Sequence, residues 1–151
     1  MDFWRATAAA TSGPTVELGC GAGRILAAIT TADRALVGLD LDDAALSLAR
    51  ERLPEAELIQ ADLLTWTPPE TLRHGAGLVI AGGDLLPLFT EATDLERLFA
   101  QASTLLSPGG IFGIDATLID AGLLSEAASD SAWSEDVRWI SEEIGEVRRE
   151  S

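Results

Sequence analysis

The sequence TVELGCGAGR at residues 15–24 decides the fold. Its first four residues form a short strand pattern, glycines follow at every second position, and the helical pattern ILAAI begins at residue 25. Glycines at a turn from a strand into a helix let a ligand approach the backbone, and the helix start offers unpaired N–H groups. The stretch therefore predicts the first βα unit of an α/β domain, with a polar ligand above the turn.

The alternation of short apolar runs with helical patterns continues along most of the chain. We predict strands at residues 15–18, 35–40, 57–60, 77–81 and 110–115. Strands that alternate with helices form a parallel sheet, because each connection crosses back over the sheet. The sequence thus predicts an α/β domain with a parallel sheet of about five strands and helices on both faces.

Two predicted helices have recognisable ends. After the second strand, Asp42 or Asp43 caps a helix that Pro54 stops. A second helix covers residues 91–106, with a capping box at 93–96 and an ending at Ser-Pro-Gly-Gly, residues 107–110. The apolar faces predicted for these helices comprise Ala45, Leu46, Leu48, Ala49 and Leu53 in the first, and Leu95, Leu98, Phe99, Ala102, Leu105 and Leu106 in the second.

Composition narrows the classes of partner. The 151 residues carry 25 acidic and 10 basic side chains, and a formal charge of −15 repels nucleic acid and anionic lipid. No apolar run approaches the ~18 residues of a membrane span, and the chain begins without the basic region of a signal peptide. Cys20 is the only cysteine, so we predict no internal disulfide, no metal site and a cytoplasmic location. We expect neither nucleic acid nor membrane as a partner.

Three acidic residues stand at the carboxyl ends of the first three predicted strands. Glu17 precedes the glycine turn, Asp40 follows Gly19 by 21 positions, and Asp62 closes the third strand. Open α/β sheets bind ligands at this edge, and a carboxylate about 20 residues after the first glycine suits a ribose diol. The dinucleotide fingerprint requires a glycine where this sequence has Arg24, which disfavours NAD.

These segments resemble class I S-adenosylmethionine-dependent methyltransferases of the small-molecule type. VELGCGAGR is similar to that family's first motif, GLDLD to its acid after the second strand, QADL to its adenine-contacting segment, and LLSPGGIF to its turn into the fifth strand. The resemblance covers about residues 14–115 and implies a Rossmann-like sheet with strand order 3-2-1-4-5. It also implies S-adenosyl-L-methionine as cofactor and S-adenosyl-L-homocysteine as product.

The resemblance implies roles for individual residues. Glu17 and the glycine turn would hold the methionine part of the cofactor, Asp40 the ribose hydroxyls, and Asp62 the adenine amine. The full set implied to bind the cofactor is Glu17, Gly19, Cys20, Gly21, Gly23, Asp40, Leu41, Ala61, Asp62, Leu63, Ala81 and Gly82. An acidic cradle also suits a sulfonium and an ammonium better than it suits a pyrophosphate.

The methyl acceptor is expected on the segment AGGDLLP at residues 81–87. This segment departs from the Asn-Pro-Pro-Tyr type of enzymes that methylate nucleobases or amide nitrogens, so a small-molecule acceptor is predicted. Asp84 and Asp115 are the candidate catalytic residues, because both follow strand ends at the same edge; a turn and a strand-end hydrogen bond are their alternatives. His74 is interpreted as an exposed loop residue, and Cys20 as a packed and inert one.

We interpret the chain as one domain with an N-terminal helix or lid at residues 1–13, a cofactor-binding core at 14–116 and an acidic helical tail at 117–151. The tail is predicted to form helices around 118–128 and 134–149. Family members usually end in an antiparallel strand pair, which this tail lacks on that interpretation. The fifth strand would then be an open edge, covered by the tail, by a second copy or by another chain, or the chain would be a fragment.

Several functions are compatible with this pattern. The leading hypothesis is methyl transfer from S-adenosylmethionine to a small molecule. A non-catalytic or truncated S-adenosylmethionine-binding module is the second, because the short tail leaves little chain to form an acceptor pocket. An aminopropyl transferase on the same fold and an NAD-dependent oxidoreductase are the remaining hypotheses, and Arg24 argues against the last.

Overall fold

The structure is a computed structural model that describes residues 1–117, 135–141 and 145–150. The chain divides into two compact units, Met1–Ala116 and Thr117–Ser151. Within the described residues no helix is long and apolar enough to cross a membrane.

The first unit contains the predicted parallel sheet. Its strands are β1 (Thr15–Leu18), β2 (Leu36–Asp40), β3 (Glu57–Gln60), β4 (Ala76–Ala81) and β5 (Leu106–Ile114). The strands lie in the order β3-β2-β1-β4-β5, and all four neighbouring pairs are parallel. The strand order and the Rossmann-like fold that the resemblance implies are therefore confirmed.

Four helices accompany the sheet: α1 (Asp2–Ala9), α2 (Arg24–Ile29), α3 (Asp43–Arg52) and α4 (Ala92–Leu105). Single 3-10 turns lie at Glu70–Leu72 and Leu86–Leu88. The helix expected within residues 1–13 is α1, and the helices expected after the second and fourth strands are α3 and α4.

The core consists of two layers, one on each face of the sheet. Val16, Leu18 and Val79 pack on the α4 side, and Leu78 and Ile80 pack on the side of α1, α2 and α3. Successive residues of a strand point to opposite faces, so a strand that is covered on both faces is apolar without alternation. The same geometry directs Glu17, which lies between Val16 and Leu18, towards α2.

The N-terminal cap predicted for α3 is present, whereas the one predicted for α4 is not. Asp42 caps α3 by accepting a hydrogen bond from the Ala44 N–H at 2.8 Å. The capping box predicted at residues 93–96 is wrong, because α4 begins at Ala92 with Glu91 as its N-cap and no side-chain cap bond. The predicted apolar faces also need correction at Leu48 and Phe99, which are 56% and 42% exposed.

The strand β5 begins earlier than predicted. Ser-Pro-Gly-Gly does end the helix, which stops at Leu105, but β5 starts at Leu106 and includes these residues. A bulge accommodates them, because Ala76 pairs with Leu106 and Leu78 with Ile111. Local turn chemistry is visible in the sequence, whereas pairing with β4 depends on the tertiary structure.

The second unit corrects the prediction of an acidic helical tail. Residues 135–141 and 145–150, predicted as helix, form two antiparallel strands, β6 (Glu135–Ser141) and β7 (Gly145–Glu150). An antiparallel strand pair is therefore present, contrary to the expectation that it is missing. The segment DVRWI places apolar residues near alternate positions, a pattern typical of strands, and residue 145 is a glycine. The helix predicted around 118–128 lies outside the described residues.

Candidate cofactor-binding site

The glycine turn between β1 and α2 has a backbone that favours glycine at three positions. The φ angles of Gly19, Gly21 and Gly23 are +69°, +52° and +71°. A Cβ on Gly19 would meet the Leu85 side chain at 2.6 Å, and one on Gly23 would meet Leu53 at 2.9 Å. A Cβ on Gly21 would meet nothing within 4 Å, so this part of the turn borders open space.

Asp40 connects the glycine turn to the end of β2. Its Oδ2 accepts a hydrogen bond from the Gly21 N–H at 2.6 Å, and its Oδ1 accepts one from the Asp42 N–H at 2.9 Å. Each carboxylate oxygen has a second acceptor position. The half-buried Asp40 can therefore shape the turn and still accept hydrogen bonds from the hydroxyls of a ligand.

Glu17 is a buried carboxyl group on the α2 side of the sheet, only 2% exposed. Burial raises its pKa from 4.5 to about 8, although a hydrogen bond from the Leu26 N–H at 3.3 Å and the charge of Arg24 oppose the shift. The carboxylates of Asp115 and Asp40 raise the pKa of Glu17 further. Glu17 is therefore largely protonated at neutral pH until a positive charge arrives beside it.

Two clefts open at the carboxyl edge of the sheet and share Gly19, Gly82 and Gly83. The first, termed the loop cleft, has a volume of about 400 Å³. Its remaining lining residues are Glu17, Cys20, Gly21, Ala22, Arg24, Ile25 and Arg52. The second, termed the rim cleft, has a volume of about 480 Å³. Its remaining lining residues are Asp40, Leu41, Ala61, Asp62, Leu63, Leu64, Leu85, Leu88, Phe89, Thr90 and Asp94.

The structure brings most of the predicted site residues to these clefts. Asp62 is exposed at the rim cleft, and its Oδ1 accepts a hydrogen bond from the Leu64 N–H at 2.8 Å. Leu41 is 67% exposed there. Ala81 and Gly23 line neither cleft: Ala81 is buried in the core, and Gly23 is the N-cap of α2.

The two candidate catalytic residues differ in their surroundings. Asp115 accepts hydrogen bonds from the Trp4 Nε1–H and from the Asp84 N–H, each at 3.2 Å. Both oxygens of Asp115 therefore serve to join α1 and the segment after β4 to the end of β5. Asp84 is exposed and has a φ of +60°, a left-handed conformation in a turn that borders Gly83. Asp115 thus forms hydrogen bonds at a strand end, and Asp84 lies in a turn. These are the structural alternatives to a catalytic role that the sequence offered for the two residues.

His74 and Cys20 occupy the positions expected of them. His74 is exposed before β4, and its backbone N–H donates to the backbone carbonyl of Thr104 at 2.8 Å. Cys20 is buried, and desolvation raises the pKa of its thiol to about 12. No group of three or more His, Cys, Asp or Glu side chains within the described ranges is arranged to hold a metal ion.

Comparison with known proteins decides the family. A family model described as a methyltransferase domain matches residues 16–112, which include the glycine turn, Asp40 and Asp62. The chain belongs to the class I S-adenosylmethionine-dependent methyltransferase family. The resemblance expected from its motifs is thus confirmed.

Curated relatives of this methyltransferase domain share its sequence over part of their length. A trans-aconitate 2-methyltransferase of Paracidovorax citrulli is 39% identical over 108 residues, 66% of this chain and 36% of that protein. A protein of the same name from an Acidovorax species is 30% identical over 131 residues, 81% of this chain and 46% of that protein. The chain therefore spans between about a third and a half of these relatives.

Solved structures share the fold of the domain. S-adenosylmethionine-bound CalS10, an amino pentose methyltransferase from Micromonospora echinaspora, has a TM-score of 0.66 and 25% identity, over 78% of this chain and 48% of that one. The sugar N-methyltransferase KedS8 from Streptoalloteichus has a TM-score of 0.72 and 19% identity, over 93% of this chain and 54% of that one. The second comparison concerns the fold alone.

The clefts of this methyltransferase domain fit the family's cofactor. The open space at Gly21 leaves room for a ligand against the backbone. Asp40 and Asp62 offer acceptors for a diol and an amine, and Glu17 offers a carboxyl group for an ammonium or a sulfonium. Two neighbouring volumes of about 400 and 480 Å³ lie within the usual range of small-molecule sites.

Sequence reasoning missed part of the cleft walls. Arg24 and Arg52 line the loop cleft, and Leu85, Leu88 and Phe89 line the rim cleft. The segment after β4 is where acceptor contacts were expected, and its apolar residues at 85, 86, 88 and 89 were the available signal. Arg52 has no local signal, because it reaches the turn from α3 by donating to the carbonyl of Ala22.

Proposed function

We propose that this domain binds S-adenosylmethionine across both clefts and transfers its methyl group to a small molecule. The adenosine part occupies the rim cleft, with the ribose hydroxyls on Asp40 and the adenine amine near Asp62 and Leu63. The methionine part occupies the loop cleft above Gly21. The observation that carries the proposal is the placement of Asp40, Asp62 and the glycine turn around two clefts that share Gly19, Gly82 and Gly83.

The charges of the two clefts support a cationic cofactor. Glu17 in the loop cleft is held neutral by burial, and a nearby ammonium or sulfonium favours its ionised form. Asp40 and Asp62 accept hydrogen bonds from the neutral donors of an adenosine. A pyrophosphate, by contrast, would bring two negative charges towards the Asp40 carboxylate, which disfavours NAD in the same clefts.

The chemistry required of the chain is orientation and the exclusion of water. When bound, the cofactor would supply an electrophilic methyl group on a sulfonium, and its sulfur would become the thioether of S-adenosylhomocysteine once the methyl group is bonded to the acceptor. Such a displacement depends on alignment of the nucleophile more than on a covalent catalyst. Gly82 and Gly83, shared by both clefts, place backbone without side chains beside the proposed reaction centre.

The acceptor is proposed to be a small organic molecule. Relatives named trans-aconitate 2-methyltransferase and a structural neighbour described as an amino pentose methyltransferase support this class. The part of the rim cleft that is not assigned to the cofactor has both apolar and polar lining residues. They include the exposed Leu88 and the polar Thr90 and Asp94. A panel that contains carboxylic acids and amino sugars is therefore the first choice for an activity assay.

Calorimetric titration tests the cofactor assignment. We expect heat from S-adenosylmethionine and S-adenosylhomocysteine but not from NAD; heat from NAD alone would contradict the proposal. Asp40→Ala should weaken binding by ~1.5–3 kcal/mol, or roughly 10- to 100-fold, through lost charged hydrogen bonds. The control is Asp43→Ala, which removes an exposed carboxylate paired with Arg50 on α3 and should leave affinity unchanged. Unchanged affinity in Asp40→Ala would refute the ribose assignment.

Assembly and location are proposed on separate grounds. Among the described residues, β5 is an edge strand of the five-stranded sheet, and a second copy or another chain that pairs with it would satisfy the hydrogen-bonding groups of that edge. Sedimentation equilibrium tests this, since a monomer at high concentration argues against it.

A cytoplasmic location agrees with Cys20 as the only cysteine of the sequence. Cofactor binding without turnover on the panel would favour a non-catalytic binding module.

A further inference from the structure

Gln101 lies on α4, outside both clefts, and connects this helix to the turn that follows β3. Its Nε2 amide donates to the carbonyl oxygen of Leu63 at 2.5 Å and to that of Trp66 at 2.8 Å. The two acceptors precede Gln101 by 38 and 35 residues, so the contact is a tertiary one. One amide group thus holds two carbonyls of the same turn.

The turn itself is well defined internally. The Asp62 carbonyl accepts the Trp66 N–H at 2.8 Å, and the Asp62 carboxylate accepts the Leu64 N–H at 2.8 Å. These bonds set the shape of the turn but not its position above the sheet. Its start is tied to β2, because the Ala61 N–H donates to the carbonyl of Asp40 at 2.8 Å. Among the hydrogen bonds of the described residues, those of Gln101 tie its far side to α4.

We propose that Gln101 is a positioning residue for recognition of the adenine ring. By holding the turn at Leu63 and Trp66, it keeps the Asp62 carboxylate at the rim cleft, where it accepts from the adenine amine, and keeps Leu63 beside the ring. The inference rests on the proposed function, since it concerns the base bound in that cleft. It deepens that function by assigning base selectivity to a residue that does not touch the ligand.

Loss of the Gln101 amide would impair adenine recognition because it leaves two backbone carbonyl oxygens without a hydrogen-bond donor, which costs free energy. Both oxygens lie where α4 packs against the turn, and a side chain without donors leaves them to find other partners. The turn then shifts to recover those bonds, and the Asp62 carboxylate moves with it. Recognition of an amine by a carboxylate is sensitive to such shifts, because a hydrogen bond weakens steeply as its geometry departs from the ideal.

The test compares S-adenosylhomocysteine with S-inosylhomocysteine, in which a carbonyl replaces the adenine amine. The wild type should prefer the first ligand by about tenfold or more, because Asp62 accepts from the amine and repels the carbonyl. Gln101→Met keeps the length of the side chain but removes both donors, and should lower this preference to less than threefold. Thr104→Val is the matched control: it removes one donor to the Ala100 carbonyl on the same helix and should leave the preference unchanged.

A merely structural role for Gln101 would weaken binding of both ligands equally and leave the preference intact, and that result would overturn the proposal. Gln101→Leu provides a second variant without donors if Gln101→Met does not fold. Wild-type protein that binds neither ligand would contradict the proposed function itself. Wild-type protein that binds both ligands with no preference would contradict the Gln101 inference and the contact of Asp62 with the adenine amine, but not binding of the cofactor.

Discussion

Replacement of Glu17 by glutamine gives the sharpest test of the site's electrostatics. Burial raises the pKa of this carboxyl group from 4.5 in the unfolded chain to about 8 in the folded one. A group with a raised pKa stabilises the folded state fully below its unfolded pKa, and that contribution is lost as the pH rises through the folded pKa. Glu17 should therefore make the protein progressively less stable between about pH 4.5 and pH 8.

The magnitude follows from the size of the shift. Each pKa unit corresponds to about 1.4 kcal/mol, so the free energy of unfolding should fall by about 4 kcal/mol between pH 5 and pH 8 through this group alone. In Glu17→Gln the side chain is neutral at every pH and keeps an oxygen for the Leu26 N–H. The stability of the variant relative to the wild type should therefore rise by about 4 kcal/mol over that interval.

Urea denaturation followed by circular dichroism at pH 5, 6, 7 and 8 measures this difference. The control is Glu51→Gln, an exposed position on α3 that lines neither cleft; it should follow the wild type. A difference between wild type and Glu17→Gln that stays constant from pH 5 to pH 8 would refute the reasoning. Binding offers a second readout at pH 7: a cationic cofactor should release a proton from Glu17 in the wild type but not in the variant.

Two further predictions concern the glycine turn and the amino-terminal segment. Gly21→Ala should cost about 1–2 kcal/mol of stability from its positive φ alone, whereas Gly19→Ala should cost more, because its Cβ would also meet a side-chain carbon at 2.6 Å. Thermal unfolding of both variants checks the order, and a reversed order would contradict it. Arg34→Met should lower the free energy of unfolding by about 2–4 kcal/mol, because its guanidinium donates five hydrogen bonds to residues 8–15. Arg50→Met, which breaks an exposed ion pair, should cost less than about 1 kcal/mol, and equal losses would argue against this account.

The cofactor half of the fold was predictable because its signals are local. The strand β1, the glycine turn and the cap at Asp42 depend on residues within a few positions of one another. The capping box at residues 93–96 was also a local signal, yet α4 begins before it. The helix predicted for residues 134–149 was wrong because the pattern there is ambiguous. A charged stretch with apolar residues suits a helix or an edge strand, and pairing with a partner strand decides between them.

The sequence by itself determined the five strands of the parallel sheet and the position of Glu17, Asp40 and Asp62 at the carboxyl ends of three of them. Parallel connections bring such ends to one edge of a sheet, so a candidate site could be predicted there from the spacing of these residues. Only the tertiary structure decided that burial keeps Glu17 largely protonated, that Asp115 is occupied by Trp4 and Asp84, and that Gln101 holds the turn at the rim cleft. Desolvation and hydrogen bonds across more than thirty residues depend on how the helices pack, and no local pattern in a sequence encodes them.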